Sequence, residues 1–382
     1  MGHLVPVTVP PFRSGGEFTL GAEDELLLTR ADGAPSGVGA ESTIAKLRQR
    51  PGLQCSVSPE EYADEIEFGT PICDDAASMI DALAGARAAL QEVRQGAMAV
   101  GVHPAAGLGD FTVSAGARYD AISSSLAGFL RTPTAAFQVH VGMPDAASLV
   151  SAFRDLRNRL ALLRGLAAGS PFWHGRDSGL ASARAVIHRS YPRTGVPPAF
   201  RSYDEYQAIA SEQIAAAEAP DHTYLWWDLR PHPRFGTLEV RVMDAQCSLE
   251  RAAGLAALIQ GLARHAVENP PVEDIPDAVL DENDFRAVRY GLDARIVDVD
   301  GRMRPLRSIA MEAIETAWHA LGRGALGAPL EDLAGRLFEE SECARLRRVH
   351  ASGGMPALLN DLRRRTLVRG SEGEAPSPEE AG

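Results

Sequence analysis

Lysine is nearly absent from this chain of 382 residues, since Lys46 is the only lysine among its 38 basic residues. No phosphate-binding loop of the form G-x-x-x-x-G-K-[ST] occurs, which excludes a lysine-based nucleotide site of that type. The remaining basic residues are arginines, which bind phosphate and carboxylate groups through paired hydrogen bonds. A GC-rich genome also explains the arginine bias, so the positions of the arginines carry more information than their number.

Cysteines and long apolar runs are also scarce. The four cysteines, at positions 55, 73, 247 and 343, are far apart and form no C-x-x-C pair. This spacing argues against a disulfide framework or a structural zinc site. The N-terminus lacks the layout of a signal peptide, and no stretch of about 18 apolar residues suggests a membrane span. We therefore expect a cytoplasmic protein with no membrane partner.

The net charge of the chain limits the kinds of partner that it can bind. The chain has 51 acidic residues and a net charge of −13, which argues against broad binding of the nucleic-acid backbone. Small-molecule substrates are the expected partners. No G-x-S-x-G motif is present, so a serine nucleophile of the hydrolase type is not indicated.

Turn residues and apolar spacing predict an alternation of strands and helices, in an α/β or α+β arrangement. We expect strands at 18–29, 61–73 and 136–144 and at the end of 226–246. We expect helices at 41–50, 75–99, 116–130, 145–168, 203–218 and 248–267, the fourth capped by Asp145. The predicted organisation is a lead-in at 1–16, one catalytic domain at 17–369 and a disordered acidic tail at 370–382.

Polar side chains recur at every second residue in four predicted strands. The pairs are Glu23 with Glu25, Glu65 with Glu67, Gln138 with His140, and Glu239 with Arg241. Alternate residues of a strand project from the same face, so four such strands in one sheet would line a cavity. The alternative is that each pair lies on the wet face of an antiparallel sheet. Carboxylates and an imidazole suit Mg²⁺ or Mn²⁺.

Two groups of arginines are candidates for anion binding. Arg230 and Arg234 flank Pro-His-Pro, which predicts a stiffened loop, and Arg241 follows on the adjoining strand. These guanidinium groups suit phosphate or carboxylate, and ion pairing is the alternative. Arg176 and Arg184 bracket a segment of small residues, which is typical of close ligand approach or of an ordinary surface loop.

Together these motifs resemble the bacterial carboxylate–amine ligase family, also called glutamate–cysteine ligase type 2. The resemblance covers about residues 17–365, and its most specific block is WWDLRPHPRFGTLEVRVMD at 226–244. The other motifs are LGAEDE (20–25), EIEFGTPIC (65–73), GVHP (101–104), RYD (118–120), VHVGMPD (139–145), SPFWHGRDSGLASAR (170–184) and NDFRAVRYGLD (283–293).

The resemblance implies an α+β, glutamine-synthetase-like catalytic fold, with a curved, mainly antiparallel sheet backed by helices. It implies ATP and Mg²⁺ or Mn²⁺, amide formation through an acyl phosphate, and weak glutamate–cysteine ligase activity in some members. It also suggests a homodimer. The alternatives are a catalytically silent ligand-binding relative and an ATP-dependent phosphotransferase without ligation.

The resemblance also assigns roles to residues. The implied metal ligands are Glu23, Glu25, Glu67, His140 and Glu239. Arg241 would face the transferred phosphoryl group, and Glu67 or Glu25 would accept the proton of the amine. The expected contacts to ATP or substrate are Arg184, Arg230, Arg234 and Glu60. Two departures stand out: Asp24 where members often have glutamate, and Gln138 where members often have the first histidine of His-x-His.

Overall fold

The computed structural model describes residues 9–94, 96–126 and 132–367. The strands are β1 (Leu20–Leu28), β2 (Ser56–Pro59), β3 (Glu65–Gly69), β4 (Ala97–Met98), β5 (Ala136–Gly142), β6 (Phe172–Trp173), β7 (Arg176–Asp177), β8 (Thr194–Gly195), β9 (Trp226–Trp227), β10 (Leu229–His232), β11 (Thr237–Asp244), β12 (Arg295–Val297) and β13 (Met303–Pro305). The helices are α1 (Glu41–Arg48), α2 (Ala76–Val93), α3 (Ala117–Leu126), α4 (Ala146–Asn158), α5 (Leu160–Ala167), α6 (Ala183–Arg189), α7 (Tyr203–Ala216), α8 (Leu249–Glu268), α9 (Asp277–Tyr290), α10 (Leu306–Leu321), α11 (Ala328–Arg336) and α12 (Glu342–Leu367).

One antiparallel sheet organises the molecule, with strand order β10-β11-β5-β1-β3-β2 and with β4 beside the end of β1. Three two-stranded sheets are added to it, and of these β8–β9 is parallel. The predicted α+β class with a mainly antiparallel sheet backed by helices is therefore confirmed.

Helix α8 is the centre of the helical layer, where it packs against α2, α4, α10 and α11. The predicted cap of α4 is confirmed, because the Asp145 carboxylate accepts a hydrogen bond of 2.7 Å from the Ser148 amide. The single helix predicted at 145–168 is wrong in one respect. At Arg159 the backbone leaves the helical region (φ −106°, ψ 7°), which divides the segment into α4 and α5.

The face of the sheet that meets the helices contains a paired charge. Asp24 points into this layer and accepts two hydrogen bonds, of 2.8 and 2.9 Å, from Arg87 of α2. Arg87 also donates to the carbonyls of Gln246 and Cys247, and both charged side chains are buried. Asp24 therefore belongs to the interior of the fold, as its place between Glu23 and Glu25 predicts.

A bulge interrupts β11. Glu239 and Val240 stand opposite His140 and Val139, but after one additional residue Met243 stands opposite Phe137 and Asp244 opposite Ala136. Such an insertion reverses which face each later residue occupies. Asp244 consequently accepts hydrogen bonds from the Ser170 and Ser182 hydroxyls, at 2.7 Å each, and from the Gly169 amide.

The chain before β1 is tied to the rest of the fold. The Tyr203 hydroxyl donates to the Pro10 carbonyl, and the Gly15 amide donates to the Met143 carbonyl. The turn between β10 and β11 passes so close that a Cβ on Gly236 (φ 68°) would lie 2.1 Å from the Arg13 carbonyl oxygen. Residues 1–8 and the predicted acidic tail lie outside the described residues, and the domain boundaries stay a prediction.

Candidate functional site

A cavity of about 350 Å³ lies over the face of the sheet opposite to Asp24. We call the part over β1 and β3 the acidic side; it is lined by Glu25, Glu60, Glu61, Glu65 and Glu67. We call the part near β10 and β11 the arginine side; it is lined by Arg184, Arg230 and Arg241. Strand alternation therefore delivers opposite charges to one space.

A candidate metal centre lies where β1, β5 and β11 run side by side. Glu23, His140 and Glu239 each offer a ligand atom, and these atoms lie within 4.8 Å of one another. His140 Nε2 is 3.3 Å from Glu23 Oε1 and 4.0 Å from Glu239 Oε1. The other ring nitrogen of His140 is 2.9 Å from the Thr237 hydroxyl, which fixes the orientation of the ring.

The charges around this centre keep both of its carboxylates ionised. Although burial opposes ionisation of Glu239, the charges of Arg230, Arg241 and His140 hold its pKa well below the usual range. Burial also opposes ionisation of Glu23, but His140 lowers its pKa. Two ionised carboxylates and one imidazole form a donor set that fits Mg²⁺ or Mn²⁺.

Glu25 and Glu67 lie beside this centre on the acidic side. Glu25 accepts hydrogen bonds of 2.6 Å from the Ala136 amide and 2.5 Å from Gln138 Nε2. Burial and the charge of Glu60 raise the pKa of Glu25 to about 8. Burial and the charges of Glu23 and Glu60 raise the pKa of Glu67, which accepts a hydrogen bond of 3.1 Å from Ser58.

The structure thus separates the five predicted metal ligands into two groups. Three of them form the candidate metal centre, whereas Glu25 and Glu67 join no group of three such ligands within the described chain. Glu60 lies on the acidic side with them, and its carboxylate accepts a hydrogen bond of 2.9 Å from the Glu61 amide.

The arginine side presents donors toward the cavity. Arg230 donates to both carboxylate oxygens of Glu239, at 2.8 and 3.0 Å, and Arg241 donates to one of them. Arg184, at the start of α6, donates through Nη2 to the Arg241 carbonyl at 3.3 Å. The Nε atoms of Arg184 and Arg241 are buried and have no acceptor among residues 9–94, 96–126 and 132–367.

Two of the predicted arginines lie elsewhere. Arg234 is exposed on the turn between β10 and β11, and Arg176 is exposed on β7. Neither lines the cavity. The loop predicted for Pro-His-Pro is wrong, because Pro231 and His232 belong to β10, where Arg230 stands opposite Glu239. Proline is accepted there because β10 is an edge strand of the sheet.

Several cavity residues received no role from the sequence. Glu65 forms an alternating pair with Glu67, and that spacing was a signal for it. Glu61 received no role, although the strand predicted from residue 61 would place it on the same face as Glu65 and Glu67. In the structure β3 begins only at Glu65, and Glu61 lies in the preceding bend. Aromatic and basic side chains complete the lining, and distant segments supply them: Arg118, Tyr119, His188, Tyr191 and Trp226.

Comparisons with known proteins agree on one family. The family model described as glutamate–cysteine ligase family 2 matches residues 19–339. A protein of Haloferax volcanii named glutamate–cysteine ligase is 33% identical over 353 residues, covering 90% of this chain and 96% of the relative. A protein of the same name from Natronomonas pharaonis is 31% identical over 355 residues, covering 90% of this chain and 94% of the relative.

Solved structures agree with the fold. A glutamate–cysteine ligase from Francisella tularensis, in complex with AMP, has a TM-score of 0.70 at 13% identity and covers 94% of this chain and 89% of its own. A bifunctional glutathione synthetase from Pasteurella multocida has a TM-score of 0.66 at 12% identity. It covers 92% of this chain, which spans about half (52%) of that longer enzyme. Among the described helices, none is long and apolar enough to cross a membrane.

Proposed function

Because the chain belongs to glutamate–cysteine ligase family 2 and is a carboxylate–amine ligase, we propose that it uses ATP to join a small carboxylate to an amine. The carboxylate is glutamate or a similar acid, and the reaction passes through an acyl phosphate. The AMP in the complex of the Francisella tularensis relative supports the use of a nucleotide. A homodimer and a cytoplasmic location stay predictions.

One observation carries this proposal. Glu23, one of the three candidate cation ligands, lines the same cavity as Arg184 and Arg241, whose Nε atoms have no acceptor within the described residues. Transfer of a phosphoryl group needs both kinds of partner, since charge develops on its oxygens while the nucleotide carries bound cations. A site that bound only a metal or only an anion would not need both.

In the first step a substrate carboxylate oxygen attacks the γ-phosphorus of ATP, and the bond to ADP breaks. Glu23, His140 and Glu239 would hold Mg²⁺, which when bound neutralises charge on the phosphate oxygens. Arg241 and Arg184, which line the cavity, would bind oxygens of the transferred group. Arg230 keeps Glu239 in place through two hydrogen bonds.

In the second step the amine attacks the carbonyl carbon, and phosphate leaves with the electron pair of the broken C–O bond. The amine loses a proton, which Glu67 or Glu25 accepts. Burial raises the pKa of both carboxylates, which makes each a stronger proton acceptor when it is ionised. Gln138 and the Ala136 amide hold Glu25 in position for this role.

The test compares wild type with Glu239→Gln and Glu239→Ala in an assay of ADP release, with Mg²⁺, ATP, glutamate and a panel of amines. The glutamine keeps the shape of Glu239 and an acceptor for Arg230, so it guards against loss of folding. We expect a loss of at least about 100-fold in kcat for both variants, because a group that stabilises transition-state charge is removed.

Product mass separates the alternatives. An amide product supports the ligase, whereas free acyl phosphate indicates a phosphotransferase. Absence of ATP- and Mg²⁺-dependent phosphate release would indicate a silent relative. Unchanged turnover in folded Glu239→Gln would remove the metal centre from the mechanism.

A further inference from the structure

Two buried oxygen atoms on the acidic side have no hydrogen-bond donor in the described segments of the chain: Glu65 Oε1 and Gln138 Oε1. Both side chains are only 2% exposed, and both line the cavity. By register, Glu65 lies opposite Leu27 and Gln138 opposite Glu23, so the two residues lie on either side of Glu25. A buried acceptor without a donor is costly, and both atoms require the same kind of partner, a donor or a cation.

In the described parts of the chain, no arginine or lysine pairs directly with the outer carboxylates of this side, Glu61 and Glu65. Among the described residues, neither Glu61 nor Glu65 forms an ion pair within 4.0 Å. Arg118 lowers the pKa of Glu61 from a distance, yet burial and Glu60 raise that pKa to about 7 overall. The Arg118 guanidinium donates to Thr223 and lies 4.9 Å from the centre of the Tyr224 ring.

Aromatic rings adjoin these carboxylates. Tyr119 and Tyr191 line the same cavity, and their hydroxyl groups already bind protein atoms, at the Pro59 carbonyl and the Tyr62 hydroxyl. The cavity wall therefore combines aromatic carbon atoms with neighbouring carboxylate oxygens. That combination suits an alkylammonium group, which binds both aromatic rings and carboxylates, better than a hydrated magnesium ion, which takes oxygen ligands.

We propose that the acidic side binds a second, positively charged group of the amine substrate, held by Glu61 and Glu65 beside Tyr119 and Tyr191. This inference rests on the proposed ligase function and names its substrate class, a diamine or another amine that carries an additional alkylammonium group. One nitrogen, unprotonated, forms the new N–C bond while the C–O bond to phosphate breaks. Its released proton passes to a cavity carboxylate, and the other nitrogen keeps its charge throughout.

The experiment measures kcat/KM of the full chain for 1,4-diaminobutane, n-butylamine and L-cysteine, with Mg²⁺, ATP and glutamate. We expect a preference of at least about tenfold for the diamine over n-butylamine. Glu61→Gln and Glu65→Gln should each reduce that ratio by roughly 10- to 100-fold, because each removes a charged hydrogen-bond partner. Glu331→Gln, an exposed position of α11, is the matched control and should leave the ratio unchanged.

The outcomes are separable. Ligation of n-butylamine or cysteine without preference for the diamine would overturn this inference and leave the ligase function standing. If no amide forms with any amine, the ligase function fails. Calorimetric binding of 1,4-diaminobutane to wild type but not to Glu65→Gln would then still support the cation site, and equal binding would overturn it. If the variants lose a bound Mn²⁺, counted by electron paramagnetic resonance, while diamine selectivity stays unchanged, the acidic side holds a metal instead.

Discussion

Asp24 and Glu25 are neighbours in β1 and both are buried, yet they meet opposite surroundings. Asp24 enters the helical layer, where two hydrogen bonds from Arg87 balance its charge. Glu25 enters the cavity, where an amide side chain and one backbone amide are its donors and Glu60 adds repulsion. Asp24 is paired directly with an arginine, whereas the charges of Arg184 and Arg241 offset the burial of Glu25 only in part.

The two faces of the sheet therefore have different roles. A buried carboxylate with a complete set of donors contributes to the fold, and removal of either partner leaves an unpaired charge in the interior. Buried carboxylates that repel one another oppose folding until a cation joins them. The sheet therefore separates stability from ligand binding between two adjacent positions of one strand.

The largest effect is expected on the helical face. Asp24→Asn removes the counter-charge of Arg87 and should lower the free energy of unfolding by roughly 3–5 kcal/mol. Chemical denaturation followed by circular dichroism measures this loss. A change below about 1 kcal/mol would contradict the assignment of Asp24 to a stabilising pair.

On the cavity face the opposite sign is expected for Glu25→Gln. The glutamine still accepts from the Ala136 amide but carries no charge, so at pH 8 the free energy of unfolding should rise by about 1–3 kcal/mol. Turnover should fall at the same time, because the base or ligand is lost. Chemical denaturation and the ADP-release assay measure these two changes. A destabilisation as large as that of Asp24→Asn would contradict the proposed difference between the two faces of the sheet.

A smaller effect is expected from pH in the metal-free wild type. In the unfolded chain glutamates titrate near 4.5, whereas in the folded protein the pKa is about 8 for Glu25 and about 7 for Glu61. Between pH 6.5 and 8.5 the folded state therefore binds more protons than the unfolded state, and stability falls as pH rises. The raised pKa of His140 acts in the same direction.

Thermal unfolding should show the loss of stability at higher pH as a decrease in Tm of a few degrees, on the order expected for about 1–2 kcal/mol. Saturating Mg²⁺ should reduce the decrease, because it binds the ionised forms. Glu25→Gln should show a flatter profile than wild type. A Tm that rises with pH over this range would mean that these carboxylates have counter-charges after all.

Strand alternation was sufficient to predict which acidic residues share a face. Glu23, His140 and Glu239 come together on one face of the sheet because each lies on a strand with a period of two, and the resemblance implied that the strands share a sheet. The fold class followed from the same source. Local sequence was also sufficient for the Asp145 cap.

Contacts between distant segments were beyond such reasoning. The bidentate pairing of Arg230 with Glu239 depends on a hairpin that the two prolines concealed, because proline in a central strand would be unfavourable but in an edge strand is not. Arg184 reaches the cavity from a helix, and Arg234, although close in sequence to the site, lies on an exposed turn. The individual carboxylates of the acidic side could be predicted from the sequence, but the lack of an arginine paired directly with them could not.

Because of the bulge, the number of residues in β11 determines which of its side chains lie on each face of the sheet. One surplus residue between Val240 and Met243 changes the parity of the strand, so that Asp244 reaches the serines that anchor the segment carrying Arg184. Substitutions nearby would alter one contact each, whereas loss of a single residue would exchange Met243 and Asp244 between the two buried faces of the sheet. An alignment of relatives that closes a gap here would therefore compare side chains from opposite surfaces.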